Sequence, residues 1–389
     1  MKISILTPDL SHNCLGRAHL LAKILQRQYE VEIVGPMFSN KIWEPLADMD
    51  NISYSTVRIS DSAIKNYYRS ISLVEKISGD VVYASKPLFT SYGLGILAKL
   101  TKNKSLVLDI DDWQFGLAKE AHKNSPSLKY RLKNLVTSAV ELYSIYSYWN
   151  HAIGEQLTWL AQDITVSNNF LQEKFGGTII WHARDANAFK PDAFDKVALK
   201  EKFGLKETQK VVMFLGTPRP HKGLDDLVEA IAGVDNPNAL LVIVGLDKDT
   251  YSQKLVKLAE SKLVGKFRAF GMQSFDKIPE FLAIADVVVI PQRYNSATVG
   301  QVPAKVFDAM AMAKPTISTT VSDLPYILEG CGWLVEPEQP HQLATSIQFV
   351  LDNPDEAQQI GEKAREKFIT SYSWSAMEKN LTKIFKQYE

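Results

Sequence analysis

The sequence predicts an α/β chain built on two parallel β-sheets, each covered by helices. Three observations lead there. Short β-rich apolar runs recur along the chain, separated by segments of roughly 15 to 40 residues that suit crossover helices. Most runs are continuously apolar rather than alternating, as in strands buried on both faces. The length of 389 residues exceeds one ordinary domain, so the runs divide between two.

The first series comprises Ile3 to Leu6, Val31 to Val34, Val81 to Ala84, Leu106 to Ile110, Ile164 to Val166 and Thr178 to Trp181. The second comprises Val211 to Leu215, Leu240 to Val244, Phe267 to Phe270, Val287 to Ile290, Thr316 to Ser318 and Trp333 to Val335. Between them "HARDANAFKPDAFDK" is polar and contains Pro191, which marks a boundary. The expected domains are residues 1–187 and 188–373, with a closing helix from about 374 to 389 packing back on the first.

Composition excludes several classes. Lys plus Arg and Asp plus Glu number 44 each, so no global field recruits nucleic acid, and any cation cluster acts locally. Cys14 and Cys331 have no paired spacing, which argues against a disulfide framework or a cysteine zinc site and fits a reducing cytoplasm. The start "MKISILTPDLSHN" does not read as a secretory leader, and no apolar run is long enough to cross a bilayer.

In open parallel sheets, ligands bind outside the carboxyl ends of the strands. The unusual residues sit there: Asp9 to Arg17, Asp109 to Trp113, Gly216 to Lys222 and Gln292 to Gly300. In "KVVMFLGTPRPHKGLDDLVEAIAGV" a strand breaks at Gly216, and a helix starts after Gly223, with Leu224, Leu227, Val228 and Ile231 on its apolar face. Arg219 and Lys222 beside that helix start suit a diphosphate, or else form a solvated turn. A second helix start is expected at Pro303, with Gly300, Gln301 and Val302 presenting amides and with Lys305 and Asp308 in its first turns. A carboxylate at 308 suits ribose hydroxyls; the alternative is an ordinary exposed helix face.

The segments "GTPRPHKGLDDLVEAI", "LLVIVG", "FGMQSFDKIPEFLAIADVVVIPQR" and "PAKVFDAMAMAKPTIST", in that order, resemble the nucleotide-sugar-binding half of family 4 retaining glycosyltransferases (glycosyl transferases group 1). These enzymes have the GT-B fold, two Rossmann-like domains facing across a cleft. The resemblance covers residues 205–336 and, more weakly, "MKISILTP", "IIWHARDANAFKPD" and the closing "SYSWSAMEKNLTKIFKQY". It implies that Arg219 and Lys222 grip the donor diphosphate and Asp308 the ribose. The 295–302 loop, with Asn295, Ser296, Gly300, Gln301 and Val302, would hold phosphate and sugar. Phe270 and Met272 would flank the base, and Gly16 and Gly216 would let backbone approach the phosphates.

The chain departs from that family twice. Gly300 stands where the family's first Glu does, with Asp308 in place of the second. Asp111, in "LVLDIDDWQF", stands where many relatives have a His near the transferring sugar. It can accept a hydrogen bond or stabilise a cationic centre but cannot donate. Asp109 and Asp111 also spell a DxD metal signature, although fixed cations already serve the diphosphate, so no metal and no cofactor is expected.

The implied activity is metal-independent transfer of a hexosyl group, with retention, from a UDP- or GDP-linked sugar to a glycan or glycolipid acceptor in surface polysaccharide or glycolipid biosynthesis. The alternative is a non-catalytic nucleotide-sugar-binding or scaffolding subunit of GT-B fold. The basic, aromatic segment "KEAHKNSPSLKYRLKNLVTSAVELYSIYSYW" suggests peripheral contact with the inner face of a membrane, against a plain solvated helix face. Arg17 and His19 face donor or acceptor, or the surface. Hinges are expected near Phe189 to Pro191 and near Ser373 and Trp374.

Overall fold

The computed structural model describes residues 1–46, 52–59, 63–123 and 127–389. The chain forms two units, one of Met1–His182, Val299–Gln301 and Met377–Glu389, the other of Ala183–Thr298 and Val302–Ala376.

The first unit carries seven parallel strands: β1 (Lys2–Leu6), β2 (Glu30–Met37), β3 (Ser53–Arg58), β4 (Val81–Ser85), β5 (Ser105–Ile110), β6 (Asp163–Val166) and β7 (Thr178–Ile179), in the order β3-β2-β1-β4-β5-β6-β7. The second carries β8 (Lys210–Leu215), β9 (Ala239–Leu246), β10 (Phe267–Gly271), β11 (Val287–Ile290), β12 (Thr316–Thr319) and β13 (Trp333–Val335), in the order β10-β9-β8-β11-β12-β13. In both sheets the winding reverses beside the first strand, so each has a switch point, between β1 and β4 and between β8 and β11. A crevice opens there at the carboxyl ends.

Burial explains the strands. All five residues of β4 and the last five of β8 are buried, and the apolar face of helix Leu224–Ala232 covers the second sheet with Leu224, Leu227, Val228 and Ile231. Two differences from the expected pattern have physical causes. β3, "SYSTVR", was not expected as a strand: it lies at the sheet edge, half exposed, and lacks the apolar run of a central strand. The run Thr178 to Trp181 leaves the ladder after Ile179, because the Ile180 and Trp181 carbonyls accept instead from the Arg17 guanidinium, at 2.8 and 3.2 Å.

The tail helix Trp374–Phe385 buries Met377, Leu381 and Phe385, with Phe385 5.1 Å from the Tyr83 ring in the first unit. Arg365 donates to the Phe189 carbonyl at 2.7 Å, which ties the segment expected as a hinge into the second unit. Among the described residues no helix is long and apolar enough to cross a membrane. Residues 124–126 of the basic segment lie outside the described residues.

Candidate functional site

The switch point of the second unit is formed by backbones that leave no room for side chains. Gly216 follows β8 at φ 105° and Gly245 lies in β9 at φ 103°, and a Cβ on Gly245 would come within 2.9 Å of the Gly216 carbonyl carbon. Gly223, at φ 65°, abuts the Pro291 carbonyl so closely that any side chain would overlap it. The loop after β11 is tied to the loop after β8, with Arg293 N donating to His221 O at 2.9 Å.

Lys305 reaches this crevice from its helix, Lys305–Ala311. Its Nζ sits 3.6 Å from the centre of the Phe214 ring and would be 3.3 Å from a Cβ on Gly216. Burial pushes the Lys305 amine well below the usual lysine range; neighbouring Lys222 adds to this and Asp308 opposes it. Lys222 Nζ donates to Thr217 O at 2.7 Å, curling the loop back on itself. Arg219 pairs with Asp249 and, at 3.4 Å, with Asp247. Gly216, Lys222 and Lys305 are thus brought together around one point, with Arg219 on the same loop.

The helix start after Gly223 differs from its expected role. Its first turn carries Asp225 and Asp226, and Arg293 bridges them at 2.6 and 2.8 Å. The positive end of that helix already has carboxylates beside it. The second helix begins at Lys305, two residues after Pro303, because Pro303 and Ala304 form a tighter turn in which their carbonyls accept from Val306 N and Phe307 N at 3.0 Å.

Asp308 is buried, and its Oδ1 accepts from Arg184 Nε. Burial raises the Asp308 carboxyl and the Arg184 guanidinium opposes the rise. Arg184 also lies 5.9 Å from the Phe275 ring centre. Phe270 packs with Phe203 and Phe281 at 5.7 and 5.1 Å, while Met272 is exposed. The loop at 293–298 closes on itself, with Asn295 Oδ1 accepting from Ala297 N at 2.9 Å and Thr298 Oγ1 donating to Arg293 O at 2.7 Å. Ser296 lies within that turn, and Val302 is buried.

Gly300 and Gln301 group with the first unit. Trp113 N donates to Gly300 O at 3.1 Å, and a Cβ on Gly300 would come 2.5 Å from Trp113 Cβ and 3.1 Å from the Phe170 ring. A glutamate does not fit in this packing, which accounts for the glycine. Gln301 Nε2 donates to Asp112 Oδ1 at 2.9 Å.

The first unit's switch point holds a different cluster. Lys86 directly follows β4 with a left-handed φ of 71°, and its buried Nζ pairs with Asp111 and, at 3.0 Å, with Asp112. Burial raises the Asp111 carboxyl, chiefly opposed by Lys86, whereas Lys86 and Gln301 together outweigh burial at Asp112 and hold it low. Asp109 is fully buried and accepts from Arg17 Nε and NH2 at 2.9 and 2.7 Å and from Thr165 Oγ1 at 2.8 Å. Arg17, expected either to touch donor or acceptor or to sit at the surface, is instead a buried internal partner of the first DxD carboxylate. His19 is buried too, its imidazole pushed down to about 4 by burial. A Cβ on Gly16 would meet the Trp43 ring at 3.3 Å. Sequence reasoning missed Lys86, Asp112, Arg184 and Arg293; the pair Asp225-Asp226 opposite a basic residue after β11 was the one readable signal.

Two Rossmann-like parallel sheets of this order, one followed by a cationic loop at its switch point, are the architecture of GT-B glycosyltransferases. The model of the family described as glycosyl transferases group 1 matches residues 195–367, so the chain carries that family's domain in its second unit. Among curated proteins the chain is similar to the uncharacterized glycosyltransferase MJ1178 of Methanocaldococcus jannaschii, 25% identical over 68% of this chain and 64% of that protein. It is also similar to alpha-D-kanosaminyltransferase of Streptomyces kanamyceticus, 23% identical over 49% of each. The chain therefore spans about half to two thirds of the length of these relatives. Among solved structures it resembles Anabaena HepE in complex with UDP-glucose, with a TM-score of 0.76 and 17% identity over the whole of both chains.

Proposed function

We propose that the protein is a glycosyltransferase that takes a hexosyl group from a UDP- or GDP-linked sugar and transfers it, with retention, to a hydroxyl of a glycan or glycolipid at the cytoplasmic face of a membrane. The observation that carries this reading is the gathering of Lys222, Lys305 and the bare backbone of Gly216 at the second unit's switch point, with Arg219 on the same loop. Two lysines beside a glycine that admits close approach suit a diphosphate. Asp308 Oδ2 would accept from ribose hydroxyls while Arg184 holds Oδ1.

As the glycosyl bond stretches, negative charge grows on the departing diphosphate, and preorganised Lys222, Lys305 and Arg219 stabilise it. Retention would follow from front-side attack by the acceptor hydroxyl, its proton passing to the departing phosphate oxygen. No metal is needed in this scheme: the cations face the diphosphate, and Asp109, the first DxD carboxylate, is already saturated by Arg17 and Thr165. The relatives' names support glycosyl transfer, and the UDP-glucose held by Anabaena HepE supports a nucleotide-sugar donor.

The test is a thermal-shift screen against UDP-, GDP-, ADP- and TDP-linked sugars, followed by donor hydrolysis with and without chelator. Stabilisation by one donor class with chelator-resistant turnover is expected. A second reading, a non-catalytic nucleotide-sugar-binding subunit, is favoured by Gly300, whose surroundings exclude an acidic side chain. Donor stabilisation without any hydrolysis or transfer would select it.

A further inference from the structure

Arg293, in the loop after β11, is bonded through its side chain, its amide and its carbonyl. The guanidinium donates to Asp225 Oδ2 at 2.6 Å and to both carboxylate oxygens of Asp226 at 2.8 Å, in the first turn of helix Leu224–Ala232. The amide donates to His221 O at 2.9 Å, in the turn Pro220–Lys222. The carbonyl accepts from Thr298 Oγ1 at 2.7 Å and so closes the turn at 293–298. Lys222 therefore lies between two attachments to one residue, with His221 directly before it and the Asp225-Asp226 pair just after it.

Those attachments supply what the loop does not supply for itself. Gly216 and Gly223 flank it with positive φ angles, the residues least able to stiffen a backbone. The bond from Lys222 Nζ to Thr217 O stays inside the loop, so it sets the loop's shape and not its place on the sheet. The Arg293 bonds run instead to the loop of β11, the strand beside β8. Their geometry is specific: a guanidinium whose side chain is 25% exposed forks onto Asp226, while Tyr251 Oη holds Asp225 from the other side at 3.1 Å. A lysine carries the same charge but cannot make that fork.

We propose that Arg293 is a positioning residue for diphosphate recognition: it holds the turn Pro220–Lys222 against the loop after β11 and thereby sets Lys222 beside Gly216 and Lys305. The inference rests on the diphosphate reading above and names what fixes that site. The experiment is calorimetric titration with UDP against UMP, and with GDP against GMP, of the wild type, Arg293→Met, Arg293→Lys, Lys222→Ala and Lys222→Ala with Arg293→Met, beside urea unfolding of each. Both Arg293 variants should lose most of the diphosphate-over-monophosphate margin, about tenfold. The double variant should lose no more than Lys222→Ala alone, because a residue that acts through another is not additive with it. Arg293→Lys keeps the charge, so its urea midpoint stays near wild type and its loss of margin is not a loss of fold. A margin intact in both Arg293 variants, a loss in Arg293→Met that Arg293→Lys restores, or additive losses in the double variant would overturn the positioning role. A wild type that binds diphosphate and monophosphate equally would remove the diphosphate reading itself, so the two failures are told apart.

Discussion

At the first unit's switch point Lys86 and Arg17 meet three carboxylates, Asp109, Asp111 and Asp112. At the second unit's, Lys222 and Lys305 lie close to each other, Asp308 acts on Lys305, and Arg184 holds Asp308. The two sheets share a winding order through their first six strands. The difference teaches how one topology serves two ends: cations clustered with buried carboxylates hold a loop in place, and two lysines set side by side near a bare glycine would suit an anion from outside. Losses in the first cluster should appear as instability and losses in the second as weakened binding and turnover.

The largest expected effect comes from breaking the first cluster. Asp109→Asn strands the buried Arg17 guanidinium and should cost about 3–5 kcal/mol of stability in urea unfolding. Next, Lys222→Ala should lower turnover by about 100-fold, the usual cost of one preorganised donor to developing charge, while the urea midpoint stays near wild type. An effect of Lys222→Ala on stability alone would erase the contrast between the two sites.

A third effect is proton-linked. The free protein holds the Lys305 amine below its ordinary pKa of 10.5, and a bound diphosphate favours the ammonium. The complex then carries more protons than the free protein, so affinity falls as pH rises through the free-state pKa of Lys305. Calorimetry in buffers of different ionisation enthalpy should show net proton uptake that Lys305→Met abolishes. The smallest effect concerns Arg219, which Asp249 holds in the absence of ligand. Asp249→Asn keeps the cap to Ser252 N and leaves the guanidinium only the longer pairing with Asp247 at 3.4 Å, so nucleotide binding should tighten by up to about fivefold, the scale of an exposed ion pair.

Much of the fold was legible because central parallel strands are buried on both faces and read as apolar runs. Val287 to Ile290 and Trp333 to Val335 match their strands end for end. β3 was not legible, since an edge strand pairs on one side and tolerates Ser and Thr. Gly216 and Lys222 stood out in the sequence as a glycine and a cation after a strand, whereas Lys305 stood only in the first turn of a helix that could equally have been exposed, and the fold buries it. Arg184 was not legible, because its partner Asp308 lies 124 residues away. Lys86 escaped as well, since nothing local marks a lysine that takes a left-handed backbone to reach two aspartates. The place of Arg17 in a loop-to-helix stretch left a ligand contact and a surface position both open, and only the folded sheet brings Asp109 to it.

The central claim is that Lys222 and Lys305, side by side beside Gly216 at the second unit's switch point, are built for a diphosphate. Calorimetric titration of the wild type and of Lys222→Ala with UDP against UMP, and with GDP against GMP, tests it most directly. One diphosphate should bind the wild type more than about tenfold tighter than its monophosphate, the scale of one charge-assisted hydrogen bond, and Lys222→Ala should remove most of that margin. Equal affinity for diphosphate and monophosphate, or a margin that survives the substitution, would contradict the account.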